Sequence, residues 1–126
     1  MNINSDWLDD NRGLIRNYSG ELCISDILEA TLELHDSPLF PALQYIIEDH
    51  TNTTNRPFSR DDVHVFSNFV RMRANTKDDL KVAIISRDSP DSINTANGFS
   101  EQMKLCHYQC QVFLSLSSAQ TWARKS

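Results

Sequence analysis

The sequence predicts an α/β domain built on a mixed five-stranded sheet, in the order β-β-α-β-α-β-α-β-α. Three observations carry that expectation. Short runs with period-two alternation take turns with longer stretches at helical spacing. A turn cluster, Asp9-Asp10-Asn11-Arg12-Gly13, separates the first two strand-like runs and makes them a hairpin. Every later strand follows a helix, so those strands pair in parallel through right-handed crossovers.

The first strand is expected over Ile3–Leu8 and the second over Leu14–Tyr18. The period changes after Gly20. Ser25 is read as the N-cap of a first helix with Asp26 in its first turn, favourable against the helix dipole. Its stripe is Ile27, Leu28, Thr31, Leu32 and His35, and Asp36-Ser37-Pro38 ends it, because a proline pushes its predecessor out of the α region. Leu43–Asp49 is the clearest strand, followed by a polar loop from Thr51 to Pro57. Ser59 caps the second helix with Asp62 as the acid of a capping box, Phe58 can staple onto Val63, and Arg73 marks the end. Its inner stripe is Val63, Phe66 and Phe69 or Val70.

Lys81–Ser86 is the fourth strand. Asp88-Ser89-Pro90 opens a third helix whose stripe is Ile93, Ala96, Phe99, Met103 and Cys106. Gly98 inside that helix costs ~1 kcal/mol against alanine unless close packing requires it. Cys110–Leu114 is the last strand, and Ser117 with Gln120 caps a final helix carrying Ala119 and Trp122. Along the strands, Tyr45 and Ile47 oppose Ile46 and Glu48, Val82 and Ile84 oppose Ala83 and Ile85, and Cys110 and Val112 oppose Phe113. One face reads as apolar and the other as mixed. The helices are therefore expected mainly on one side, leaving the second face partly open, with Tyr18, Ile46, Ile85 and Phe113 as a patch for a homodimer contact.

A chain of 126 residues fits one domain, 1–126, with 40% hydrophobic and 23% charged residues leaving no ground for disorder. The net charge of −5 opposes phosphate backbones, and the short basic clusters Arg71/Arg73 and Arg124/Lys125 cannot track a duplex, so no nucleic acid is expected. Three cysteines give no disulfide framework, and no leader or apolar stretch of spanning length is visible; the expected location is the cytoplasm, with no membrane span.

With this order in place, the chain resembles the SpoIIAA-like, or STAS-type, domains of small bacterial regulators. The residues carrying the resemblance are Ser19-Gly20-Glu21-Leu22, Asp26-Ile27-Leu28-Glu29, Tyr45-Ile46-Ile47-Glu48-Asp49 and Lys81-Val82-Ala83-Ile84-Ile85. It closes on Val112-Phe113-Leu114-Ser115-Leu116-Ser117-Ser118-Ala119-Gln120-Thr121-Trp122, similar to stand-alone members of that group. In anti-sigma-factor antagonists of this fold, a serine opening the helix after the central strand is phosphorylated and switches partner binding. By topology that position is Ser59, near Arg56 and Arg60. Here the loop His50–Phe58 is longer and lacks the glycine of the family's compact turn, so Ser59 reads as an N-cap before it reads as a switch.

The remaining motifs favour packing over chemistry. Cys106-His107-x-x-Cys110 is the most metal-like cluster, but both cysteines fall on inward positions, where a thiol behaves as a small hydrophobe. Asp49, His50 and Ser59 do not make a triad by spacing, because adjacent strand residues point to opposite sides. The three glycines, at 13, 20 and 98, form no phosphate-cradling loop. The expected function is a non-enzymatic regulatory or protein-binding module without cofactors, its partner another protein. Its contact surface is expected from Asp49, His50, Thr53, Thr54, Arg56, Ser59, Arg60, Arg87, Asp88 and Ser89. The alternative is a carrier of a small apolar or lipid-like ligand in a pocket lined by Phe66, Phe69, Phe99 and Met103.

Overall fold

A computed structural model of the chain describes residues 3–54, 59–73, 79–105 and 108–125, with the backbone alone at 60 and 70–73. β1 (Ile3–Leu8) and β2 (Gly13–Gly20) form the antiparallel hairpin. α1 (Ile24–His35) leads through a 3-10 turn (Phe40–Ala42) into β3 (Tyr45–Thr53). Then follow α2 (Arg60–Arg73), β4 (Lys81–Ile85), α3 (Pro90–Lys104), β5 (Gln109–Phe113) and α4 (Leu116–Arg124). The sheet order is β1-β2-β3-β4-β5, and β2 through β5 pair in parallel. Laying each new strand beside the last by right-handed crossovers gathers α1, α2 and α3 on one face.

The turn chemistry explains the hairpin. Asp9, Asp10 and Asn11 all have positive φ, 52°, 56° and 67°, a region that Asp and Asn tolerate better than other side chains. Helix starts follow capping chemistry, with two corrections. α1 is capped from Cys23 rather than Ser25, because the Asp26 carboxylate accepts from the Cys23 N–H at 3.2 Å and so fixes Asp26 as the third helical residue. α4 is capped by Ser115 rather than Ser117, since Ser115 Oγ accepts from the Ser118 N–H at 3.2 Å directly after the strand ends at Phe113. For α2 the expected box forms: Ser59 Oγ accepts from the Asp62 N–H at 3.1 Å and the Asp62 carboxylate accepts from the Ser59 N–H at 3.3 Å. The Phe58 staple lies outside the described residues.

β3 differs from its expected span at both ends. Leu43 belongs to the close of the 3-10 turn, and the strand runs on to Thr53, through residues read as loop. The cause is β2, which after an irregularity between Asn17 and Ser19 still pairs Ser19 with Asn52 and Gly20 with Thr53. The β3–β4 ladder stops earlier, at Asp49 opposite Ile85. β2 and β3 thus overhang the carboxyl end of β4.

Two apolar layers flank the sheet. Leu14, Ile46, Val82, Ile84 and Cys110 pack with Leu34 of α1, Phe66 and Phe69 of α2, and Ala96, Phe99 and Met103 of α3. On the other face Ile15, Tyr45, Ile47, Ala83 and Ile85 pack under Ala119, Trp122 and Ala123 of α4. The second face is therefore covered across β3–β5, because that set of apolar side chains needs a partner as much as the first does. The expected dimer patch is split: Tyr18 clusters with Ile27 and Phe66 on the three-helix side, as Ile46 does, whereas Ile85 and Phe113 lie under α4.

Two glycines predict opposite outcomes. A Cβ on Gly13 would lie 2.1 Å from Tyr45 Cζ, and that ring is buried with its hydroxyl donating to the Asp9 carboxylate. Gly13→Ala must therefore displace an anchored ring at a cost of about 1–3 kcal/mol. Among the described residues, a Cβ on Gly98 would meet only Val63 Cγ1, at 4.0 Å, an ordinary contact. Gly98→Ala is expected to stabilise the fold by about 1 kcal/mol. Urea denaturation midpoints of the two variants should move in opposite directions.

Candidate functional site

Between the sheet and α1–α3 lies a cavity of about 130 Å³. Native interiors seldom leave voids larger than a water, and a dry engineered cavity of ~150 Å³ suffices to bind benzene. Short buried side chains on the helix side, Thr31 of α1 and Ala96 of α3, leave room for the space. Apolar walls come from Ile27 and Leu34, Ile46, Val82 and Ile84, Phe66, and Phe99 with Met103. The lining extends from Leu80 and Tyr108, just before β4 and β5, to Ser86 and Arg87, just after β4. The space therefore runs along the strands.

A charged group sits in its floor. Arg16 and Glu48 are register partners on β2 and β3, and both face α1–α3 because alternate strand positions share a side. Arg16 Nε donates to Glu48 Oε1 at 2.7 Å, and the Tyr18 hydroxyl donates to Glu48 Oε2 at 2.5 Å. The exposures are 5% for Arg16, 8% for Glu48 and 1% for Tyr18. Burial opposes the Arg16 charge, yet the adjoining carboxylate more than offsets it and holds the guanidinium pKa above its ordinary value. Burial likewise raises the Tyr18 hydroxyl well above the usual phenol range, so it serves as a donor. Among the described residues, Arg16 Nη1, Thr31 Oγ1 and Ser92 Oγ are buried without a hydrogen-bond partner, and all three residues line the cavity.

His50 forms the wall beside this group. Its half-buried ring lies flat on Tyr18, with centroids 4.2 Å apart and planes at 4°. Burial lowers its pKa from the ordinary histidine value, and the nearby Arg16 and Arg87 charges act the same way against Glu48 and Asp49. The consequence for stability has a definite sign. Above about pH 6.5 the ring is neutral in both folded and unfolded chains and the contribution is complete. As the pH falls through that value the unfolded chain binds the proton first, and stability is lost until the lower folded-state pKa is passed. Denaturation midpoints should fall between pH 7.5 and 5.5, and His50→Gln should flatten that slope.

Three of the residues expected at a contact surface, His50, Thr53 and Arg87, line this cavity. Arg87 Nη1 donates to the Thr53 carbonyl at 3.0 Å, tying the overhanging end of β3 to the segment after β4. Asp49 turns away, its Oδ1 accepting from the Thr51 N–H at 3.0 Å and the Thr51 hydroxyl at 2.5 Å. Asp49 and His50 therefore do not meet as an acid–base pair. Thr54 and Asp88 are exposed, while Ser59 and Ser89 spend their hydroxyls on helix caps. Arg56 and the Arg60 side chain lie outside the described residues. Of the expected pocket residues, Phe66, Phe99 and Met103 line the cavity, and Phe69 packs against the adjoining core.

Arg16, Glu48 and Tyr18 went unread as site residues. The signal was available: a cation within Leu14-Ile15-Arg16 and an anion within Tyr45-Ile46-Ile47-Glu48 interrupt apolar runs of two neighbouring strands. Charges of opposite sign in two buried strands are expected to pair. Cys110 is buried in the core with its thiol pushed up to about 12 by burial, while Cys106 and His107 lie outside the described residues. Among the described residues no group of three or more His, Cys, Asp or Glu is arranged to hold a metal ion, and no helix is long and apolar enough to cross a membrane. Compared with protein families, curated proteins and solved structures, the chain matches none.

Proposed function

We propose that this chain is a binding module for a small, mainly apolar molecule held between the sheet and α1–α3. The observation that carries the reading is the cavity of about 130 Å³, walled by apolar side chains and lined also by Arg16, Thr31 and Ser92, each with a buried polar atom that has no partner among the described residues. Concave, mostly apolar sites with a few placed polar groups are the usual form of small-molecule pockets. The neighbouring chemistry favours binding over turnover: Asp49 is engaged by Thr51, and His50 is stacked on Tyr18.

Ala96, buried at 6% exposure on the α3 wall, offers the direct test. Hexan-1-ol should raise the melting temperature of the wild-type chain, since saturation at 100 Kd adds about 2.7 kcal/mol. Ala96→Leu fills the space and should remove that response. Equal responses in both proteins, or no response in either, would sink the reading.

A second reading follows from the Arg87–Thr53 hydrogen bond, which unites two of the loops expected to contact a protein partner. Together with the STAS-type resemblance, it supports a regulatory contact surface at the carboxyl end of β3 and β4, where Thr51, Asn52, Thr54 and Asp88 are exposed. A partner captured by the wild-type chain should be lost with Arg87→Glu and Asp88→Lys together; retention would count against this surface.

A further inference from the structure

We infer that the cavity takes an unbranched aliphatic chain with one polar end, laid along β4 with its methyl toward Met103; the inference rests on the small-molecule reading above. The first argument is length. Leu80, Val82, Ile84 and Ser86 all line the space, so it follows alternate positions from just before β4 to just after it. At ~3.3 Å per residue those positions span about 20 Å. α3 runs back along the sheet and agrees. Ser92, Thr95, Ala96, Phe99 and Met103 line the space, a stripe about 16 Å long at ~1.5 Å per residue. On β3 the alternate residues Ile46, Glu48 and His50 continue the same wall.

Width is the second argument. The volume is about 130 Å³, close to the ~150 Å³ of a cavity that takes one benzene. Drawn out over the length of β4, that volume leaves the width of one polymethylene chain and not of a ring. Close-packed walls yield little, so a wider group forced between the layers carries the cost of overpacking. The third argument is the contrast between the ends. Leu34, Leu80 and Met103, toward the amino end of β4, are buried, whereas His50, Thr53 and Arg87, at the carboxyl ends of β3 and β4, are half-buried. A polar end group keeps its contact with water beside the second set. The methyl end removes most apolar area from water beside the first.

The test is calorimetric titration of the whole, unaltered chain with butan-1-ol, hexan-1-ol, octan-1-ol and 2-cyclohexylethanol. The first three share a head group and differ in length. The last has the carbon count of octan-1-ol but carries a ring. Affinity should rise about fourfold per methylene from butan-1-ol through octan-1-ol, as burial of each added methylene requires. Octan-1-ol should bind about tenfold more tightly than 2-cyclohexylethanol, which must spread the walls. If the rise ends at or before hexan-1-ol, or the ring compound binds as tightly as octan-1-ol, the chain inference falls while the cavity reading survives. If none of the four binds, both fall.

Discussion

Arg16→Ala should lower the unfolding free energy by about 3–5 kcal/mol, the range for removing one partner of a buried ion pair. Against a typical total of about 5–15 kcal/mol, that change leaves a large unfolded fraction under mild denaturant. The cost comes less from the lost attraction than from Glu48, which would keep a charged carboxylate at 8% exposure with only the Tyr18 hydroxyl as a donor. A comparison separates these origins. Arg16→Met with Glu48→Gln removes both charges while holding volume, and should cost less than Arg16→Ala alone, since the two sites are coupled. Urea denaturation of the two proteins checks this. Equal losses, or an Arg16→Ala protein within about 1 kcal/mol of wild type, would show that the pair does not behave as a buried one.

Ile47→Ala should cost about 2–5 kcal/mol, toward the upper part of that range. Ile47 is 1% exposed and packs under Ala119 and Ala123, where the sheet and α4 meet closely. Its neighbour Ile46 points to the opposite face and lines the cavity. Truncating Ile46 removes a side chain that already has fewer atoms against it, so its cost should fall toward the lower end. The pair isolates the cavity from general packing, because the residues are adjacent and chemically identical. Thermal or chemical denaturation that ranked Ile46→Ala as the more damaging change would place tight packing where the cavity is drawn.

These expectations depend on which face each strand residue occupies, and the sequence was informative there only in part. The period-two pattern gave the correct pairing of Val82 with Ile84 and of Ala83 with Ile85. It could not tell that α4 returns across the second face, because alternation alone does not say what covers a surface. Short side chains hid the cavity: Thr31 reads as part of the α1 stripe and Ala96 as part of the α3 stripe, and a void is a property of neighbours brought together by crossovers. The cavity lies one layer inside the surface expected from the sequence. His50, Thr53 and Arg87 were legible as residues at the carboxyl end of the central strands, where open α/β sheets place ligands. The Arg16–Glu48 pair, 32 residues apart in the chain, needed the β2–β3 register to be recognised. Cap positions failed for a smaller reason. Serines recur at 115, 117 and 118, and only the end of β5 decides which of them meets a free N–H.

The most direct test of the central claim is isotope-filtered NOE spectroscopy on the chain with bound hexan-1-ol. The account predicts contacts from the ligand's terminal methyl to the methyl groups of Met103 and Ile46, both of which line the interlayer space. Contacts confined to the exposed Leu114 and Leu116, with none to Met103 or Ile46, would contradict it.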